Sequence, residues 1–151
     1  MRTWLLLMLL VGTPPTYAGA VHTDVPESVS PSETYLIYLH GRIVENAGPR
    51  PTDPRFGLYD YPAVLEALAS RGAVVISAQR SPQTDVNEYA GTVVSQVEAL
   101  IVRGVAPWNI VIAGYSKGGA IASGVSSFLR RPQVRIVLLA ACPEGPAAPC
   151  V

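Results

Sequence analysis

The stretch Gly114-Tyr115-Ser116-Lys117-Gly118 decides the predicted fold of this 151-residue chain. It follows a short β-branched apolar run and precedes a pattern of small residues that is typical of a helix. A strand that turns sharply into a helix at G-x-S-x-G presents its serine oxygen above the edge of a sheet, and glycine is required where a side chain would block the turn. Ser116 is therefore a candidate nucleophile, and Gly114, Tyr115 and Gly118 form the predicted turn around it.

Apolar runs and helical patterns alternate along the rest of the chain. The runs are rich in β-branched residues, as in strands buried on both faces of a parallel sheet, and they cover residues 35–39, 73–77, 110–113 and 134–139. The helical patterns cover residues 62–71, 86–103 and 118–129. This alternation predicts an α/β fold with a parallel sheet of about four strands and helices on both faces.

Residues 42–61 form a long connection to which the patterns assign no element. A connection of this length is uncommon unless it covers a site or holds a short helix. The sheet is also expected to end in an open edge after Leu139. An open edge with an uncovered apolar face predicts marginal stability and aggregation.

Charge and composition exclude several kinds of partner. The chain has 11 Lys and Arg residues and 11 Asp and Glu residues, so its formal net charge is zero and a basic surface for nucleic acid is not expected. Two histidines and two cysteines lack the spacing of a metal site. The phosphate-loop and dinucleotide-binding glycine patterns are absent as well, so the sequence predicts no cofactor.

The first 20 residues are typical of a secretory signal peptide. Arg2 gives a positive start, Trp4 through Val11 are apolar, and small residues precede a predicted cleavage point near Ala20. A retained amphipathic anchor is the alternative interpretation. Because the apolar run is shorter than the roughly 20 residues of a spanning helix, we expect a secreted or periplasmic protein without a stable membrane span.

Three further segments follow the predicted signal peptide. Residues 21–33 form a polar lead-in without periodicity, residues 34–143 form the predicted domain, and residues 144–151 form a proline-rich tail. Order is expected to begin near residue 34. Cys142 and Cys150 can pair in an oxidising compartment, but Cys142 is equally suited to a cysteine further downstream, and both interpretations remain open.

A serine nucleophile also needs N–H groups that stabilise the oxyanion formed on its substrate. The backbone N–H of Lys117 directly follows Ser116 at the start of a predicted helix, where the helix dipole adds to its effect. A second donor is expected in the turn after the first predicted strand, at His40-Gly41-Arg42. The N–H of Arg42 is the first choice for this donor, and the N–H of Gly41 is the second.

These features resemble the α/β-hydrolase superfamily, and specifically its small or secreted esterase-like members. The resemblance covers roughly residues 34–143 and rests on the His40-Gly41 turn, the serine turn and their order along the chain. It implies that Ser116 attacks an ester or related acyl bond of a small-molecule substrate. It also implies that His40 supports the oxyanion loop through backbone hydrogen bonds, and that the four strands are the third to sixth of the family.

The acid and histidine of the family's triad are missing after Ser116. No histidine or aspartate follows it, and the only later carboxylate, Glu144, is interpreted as a solvated loop residue. The sequence therefore predicts a hydrolase fragment, truncated after the sixth strand, that turns over weakly or not at all. A non-catalytic binding or structural protein on a hydrolase scaffold is the alternative.

Two other catalytic partners for Ser116 are less favoured. A dyad of Ser116 with His40 is conceivable because both turns open on one edge of the sheet. A pair with Lys117 is disfavoured, since adjacent residues in such a turn point their side chains apart, and a surface lysine at a helix start is the simpler interpretation. Tyr115 is expected to pack beneath the turn rather than to contact substrate.

Overall fold

A computed structural model describes residues 19–141, which form a five-stranded sheet, a two-stranded hairpin and helices. The strands are β1 (Val21–His22), β2 (Thr34–Leu39), β3 (Thr52–Asp53), β4 (Gly57–Leu58), β5 (Ala73–Ile76), β6 (Ile110–Tyr115) and β7 (Arg135–Leu139). The α-helices are α1 (Arg42–Ala47), α2 (Tyr61–Ala69), α3 (Val86–Val102) and α4 (Lys117–Phe128), and a 3₁₀ turn covers Pro107–Asn109. The prediction of an α/β fold with a parallel sheet is confirmed.

The strand order brings the two predicted functional turns together. The order is β1-β5-β2-β6-β7, and each neighbouring pair is parallel. Parallel strands end at the same edge of a sheet. Because Leu39 at the end of β2 pairs with Gly114 near the end of β6, the turn after β2 lies beside the serine turn after β6.

Side chains alternate along β2 and build a core on each face of the sheet. Tyr35, Ile37 and Leu39 are buried in one cluster, together with apolar residues of α3 and α4. Leu36 and Tyr38 are buried in the other, together with apolar residues of α1 and α2. A strand with both faces buried has a continuous run of apolar residues. This is why the strand could be predicted from the sequence.

Side-chain caps fix the starts of the two helices that flank β5. The Asp85 carboxylate accepts hydrogen bonds from the backbone N–H groups of Asn87 and Glu88 at the start of α3. Asp60 accepts from Ala63 N at the start of α2, where Pro62 occupies the first turn. These contacts satisfy N–H groups that have no partner within a helix.

Order begins earlier than residue 34. Val21 and His22 pair with Val75 and Ile76 as a parallel edge strand, and Gly19 N donates to Ala69 O at 2.9 Å. A two-residue strand is too short to show periodicity, so this pairing left no signal in the sequence. The long connection after Gly41 holds the short helix α1 and the hairpin of β3 and β4.

Several sequence expectations concern residues outside the described range. These are the body of the signal peptide in residues 1–18, the tail, Glu144, and the pairing of Cys142 with Cys150. Within residues 19–141, the structure contains no helix that is both long and apolar enough to cross a bilayer.

The last strand leaves apolar surface at the edge of the sheet. β7 pairs only with β6 in the strand order, and the relative exposures of Val137, Leu138 and Leu139 are 41%, 45% and 45%. The expected open edge after Leu139 is therefore present in the described part of the chain.

We expect Gly118→Ala to destabilise the fold, because α4 lies against the end of β2. A methyl group at Gly118 would overlap the backbone carbonyl of Leu39, so this substitution should cost about 3 kcal/mol of unfolding free energy in urea denaturation. Gly91→Ala is the matched control, since Gly91 lies in α3 with open space around it and alanine should stabilise the helix by about 0.5 to 1 kcal/mol. Equal stability of the two variants would contradict this packing.

Candidate active site

Ser116 lies between β6 and α4 in a backbone conformation that serine rarely adopts. Its φ is 53° and its ψ is −118°, which matches the first central residue of a type II′ turn, a position dominated by glycine. The residue is exposed. Strain of this kind costs of order 1 to 3 kcal/mol and persists only where the surrounding structure enforces it.

Close backbone packing explains the glycines on either side of Ser116. A methyl group at Gly114 would overlap the Gly118 carbonyl, and one at Gly118 would overlap that of Leu39. The chain can therefore turn from β6 directly into α4 only because both positions lack a side chain. The Ser116 carbonyl accepts from the N–H groups of Gly119 and Ala120, and Ser116 N donates to Leu139 O at 2.9 Å.

The predicted oxyanion turn lies next to the serine. A methyl group built on Gly41 would lie 3.5 Å from Ser116 Cβ and 3.1 Å from Tyr115 Cδ1. Arg42 is the first residue of α1, and Lys117 is the first residue of α4. The structure thus brings Gly41 and Ser116 together, with a helix beginning directly after each of them.

His40 is buried beneath this turn and bonded to backbone groups. Its Nε2 accepts from Arg80 N at 2.9 Å, and its Nδ1 lies 2.9 Å from Gly41 O. An Nε2 that accepts assigns the proton to Nδ1, which then donates to Gly41 O. Burial and the positive charge of Arg80 lower the pKa of His40 to about 4, so the ring is neutral at pH 7.

Hydrogen bonding among the described residues favours a supporting role for His40. Both ring nitrogens of His40 are used within the turn, and no hydrogen bond joins its ring to Ser116 in residues 19–141. A dyad of these two residues would need His40 to give up a buried hydrogen bond, which leaves a polar group unsatisfied.

A buried charge network lies under the two turns. The Glu45 carboxylate on α1 accepts from Arg80 Nε at 2.8 Å and from Lys117 Nζ at 2.6 Å. The side chains of Glu45, Arg80 and Lys117 have relative exposures of 0%, 1% and 10%. Arg80 Nη2 also donates to the backbone carbonyl of His40. The network thus connects α1, α4, the turn after β2 and the segment after β5.

The expectation of a surface lysine at the start of α4 is wrong. Lys117 is the only lysine of the chain, and its ammonium group is directed to the buried Glu45 carboxylate. The two side chains belong to helices on opposite faces of the sheet and meet at its edge. A charge this well buried requires a partner, and no pattern along the sequence identified Glu45 as that partner.

Opposing influences set the charge state of Glu45. Burial raises the pKa of its carboxyl group, but the hydrogen bonds and charges of Lys117 and Arg80 outweigh burial and hold that pKa below its ordinary value. Two positive charges and one negative charge are therefore buried together beside a neutral His40. Among the described residues Arg80 Nη1 has no hydrogen-bond partner, and the guanidinium lies 5.3 Å from the centre of the Tyr89 ring.

Sequence reasoning missed Glu45 and Arg80, although both lie at the same edge of the sheet as Ser116. Glu45 falls in the connection to which no element was assigned, and Arg80 follows β5 by four residues. The sequence did contain a signal for Arg80, because this residue comes after the carboxyl end of a predicted parallel strand. Functional residues of parallel sheets are commonly found at this edge.

Tyr115 packs against the connection between α1 and α2. Its ring stacks on that of Tyr59 with centroids 5.7 Å apart and an interplanar angle of 14°. The Tyr59 hydroxyl lies 2.6 Å from that of Tyr38. The connection between α1 and α2 therefore covers one side of the serine turn, as its length suggested.

A cavity of about 760 Å³ lies elsewhere, near the amino ends of β2 and β5. Its lining includes His22, Glu33 and Tyr35 but no residue of the serine turn or the oxyanion turn. We place the candidate site at Ser116 because strained backbone and buried charge converge there. In residues 19–141 no group of three or more His, Cys, Asp or Glu residues is arranged to hold a metal ion.

Comparison with known proteins does not assign the chain to a family. No protein-family model, no curated protein and no solved structure matches it.

We expect Ser116→Gly to be more stable than Ser116→Ala. Glycine relieves the strain of a positive φ, which should raise the unfolding free energy by about 1 to 2 kcal/mol relative to alanine in urea denaturation. At an unstrained position the same comparison favours alanine. A Ser116→Gly protein that unfolds before Ser116→Ala would show that the turn is not strained.

We expect the protein to lose stability as the pH falls from 6.5 to 4. The unfolded chain binds a proton on residue 40 with the ordinary pKa of 6.5, whereas the folded chain holds that pKa at about 4. The unfolded state then binds more protons in this window, and about 2 kcal/mol of unfolding free energy should be lost by pH 4.5. Urea denaturation at pH 7 and pH 4.5 measures the loss.

His40→Gln should remove this part of the pH dependence, and His22→Gln, in the edge strand, should retain it. If His40→Gln and the wild-type chain lose stability equally between pH 7 and pH 4.5, His40 is not held neutral by its surroundings.

Proposed function

We propose that the chain belongs to a serine hydrolase of the α/β-hydrolase type that acts on an ester or related acyl bond. The observation that carries the proposal is the exposed Ser116 at φ 53° between β6 and α4, with the Gly41 turn beside it. A strained strand-to-helix turn of this kind presents the nucleophile of α/β-hydrolases, whose second oxyanion donor comes from the loop after a neighbouring strand.

The reaction proposed for this site is acyl transfer to Ser116. Its Oγ forms a bond to the acyl carbon, and the carbonyl oxygen becomes an oxyanion that the N–H of Lys117 and an N–H of the Gly41-Arg42 turn stabilise. The carbon–oxygen bond to the alcohol then breaks, the alcohol leaves with a proton, and water releases the acid. The serine proton requires a base, and no histidine or carboxylate hydrogen bonds to Ser116 within residues 19–141.

A non-catalytic binding or structural protein on this scaffold is the second candidate. The hydrogen bonds of His40 favour it, since the only described imidazole near the serine is committed to Arg80 N and Gly41 O. The two candidates differ in the reactivity of one hydroxyl group. Oxyanion donors alone accelerate acyl transfer over water even when triad members are absent.

A fluorophosphonate probe tests the proposal. Attack by Ser116 Oγ forms an oxygen–phosphorus bond and expels fluoride, and we expect peptide mass spectrometry to locate the label on Ser116. Ser116→Ala should abolish labelling. Ser126→Ala should retain it, because Ser126 is an exposed serine of α4 away from the turn. A folded chain whose Ser116 is no more reactive than Ser126 supports the non-catalytic alternative.

A further inference from the structure

The buried charge network connects the serine turn and the oxyanion turn. The proposed reaction requires these two turns to keep a fixed position relative to each other. Glu45 lies one turn into α1, the helix that starts directly after Gly41, and its two oxygens divide between Arg80 and Lys117. Lys117 is the residue directly after Ser116. One carboxylate therefore links the oxyanion turn to the residue that carries the other predicted donor.

The strained conformation of Ser116 persists only where neighbouring residues enforce it. Its φ of 53° is maintained by packing at Gly118 on one side and by the bond from Ser116 N to Leu139 O on the other. The first residue of a helix has no intrahelical partner for its N–H, so its backbone position depends on its side chain and neighbours. In Lys117 the side chain is fixed by a buried ion pair.

We infer that Glu45 is a positioning residue of the proposed reaction, acting through Lys117 and Arg80 on the serine turn and the oxyanion turn. The inference rests on the proposed function, since positioning has a chemical consequence only if Ser116 reacts. Arg80 reinforces it, because the same guanidinium that pairs with Glu45 also donates to the His40 carbonyl at the start of the oxyanion turn.

Loss of the negative charge should release Lys117. In Glu45→Gln the amide is nearly the same size as the carboxylate but leaves two buried positive charges without a counter-ion. Lys117 can reach water, since its side chain is 10% exposed, whereas Arg80 at 1% cannot. The first turn of α4 then loses its side-chain anchor, and the amides of Gly119 and Ala120, which donate to Ser116 O, lose protection.

The test compares the rate of fluorophosphonate labelling at Ser116 in wild-type, Glu45→Gln, Lys117→Met and doubly substituted chains, each confirmed as folded by circular dichroism. We expect Glu45→Gln to slow labelling roughly ten- to hundredfold, the range that a small misplacement of reacting groups costs. Because Glu45 acts in part through Lys117, Glu45→Gln should slow labelling by a smaller factor in the Lys117→Met chain than in the wild-type chain. Glu98→Gln, which breaks an exposed pair with Arg131, is the matched control and should label at the wild-type rate.

Hydrogen exchange separates this inference from the proposed function. A wild-type chain without labelling would overturn the proposed function, whereas faster exchange at Gly119 and Ala120 in Glu45→Gln, and not in Glu98→Gln, would still support positioning. The inference is overturned if folded Glu45→Gln labels and exchanges like the wild-type chain. It is also overturned if the effects of Glu45→Gln and Lys117→Met on labelling multiply.

Discussion

The site depends on one buried carboxylate, that of Glu45, held between Arg80 and Lys117. Burying charge is costly, and a buried ion pair is weak evidence for stability taken alone. Its value here is geometric, because Glu45 and Lys117 come from helices on opposite faces of the sheet and Arg80 comes from the segment after β5. Removing the carboxylate would leave positive charge under the serine turn, so the three residues hold one another in place.

The arrangement of the sheet places the carboxyl ends of β2 and β6 beside this network. Parallel pairing of β2 with β6 aligns Leu39 with Gly114, so the turns that follow the two strands open on the same edge. Two apolar cores fix the helices on both faces. Glycines at the closest contacts allow α4 to approach the end of β2. The strain at Ser116 is stored where packing and buried charge both act on the backbone.

The sequence predicted the features that depend on local pattern. Strands with both faces buried, such as β2, form continuous apolar runs, and the capping of α3 by Asp85 is likewise a short-range interaction that local sequence can indicate. The Gly-x-Ser-x-Gly turn was recognisable because a side chain at either glycine would clash with neighbouring backbone. Contacts between distant segments could not be predicted in this way. Glu45 and Lys117 are 72 residues apart, and the pairing of Val21 and His22 with β5 involves too few residues to show a period.

The most direct measurement of the central claim is the ¹⁵N NMR signal of the lysine ammonium group. Lys117 is the only lysine, so lysine-selective labelling gives one side-chain signal without assignment. An ammonium group paired with a buried Glu45 carboxylate should exchange its protons slowly at neutral pH, and Glu45→Gln should abolish that protection. A Lys117 signal that exchanges as fast as free lysine in the folded wild-type chain would contradict the account.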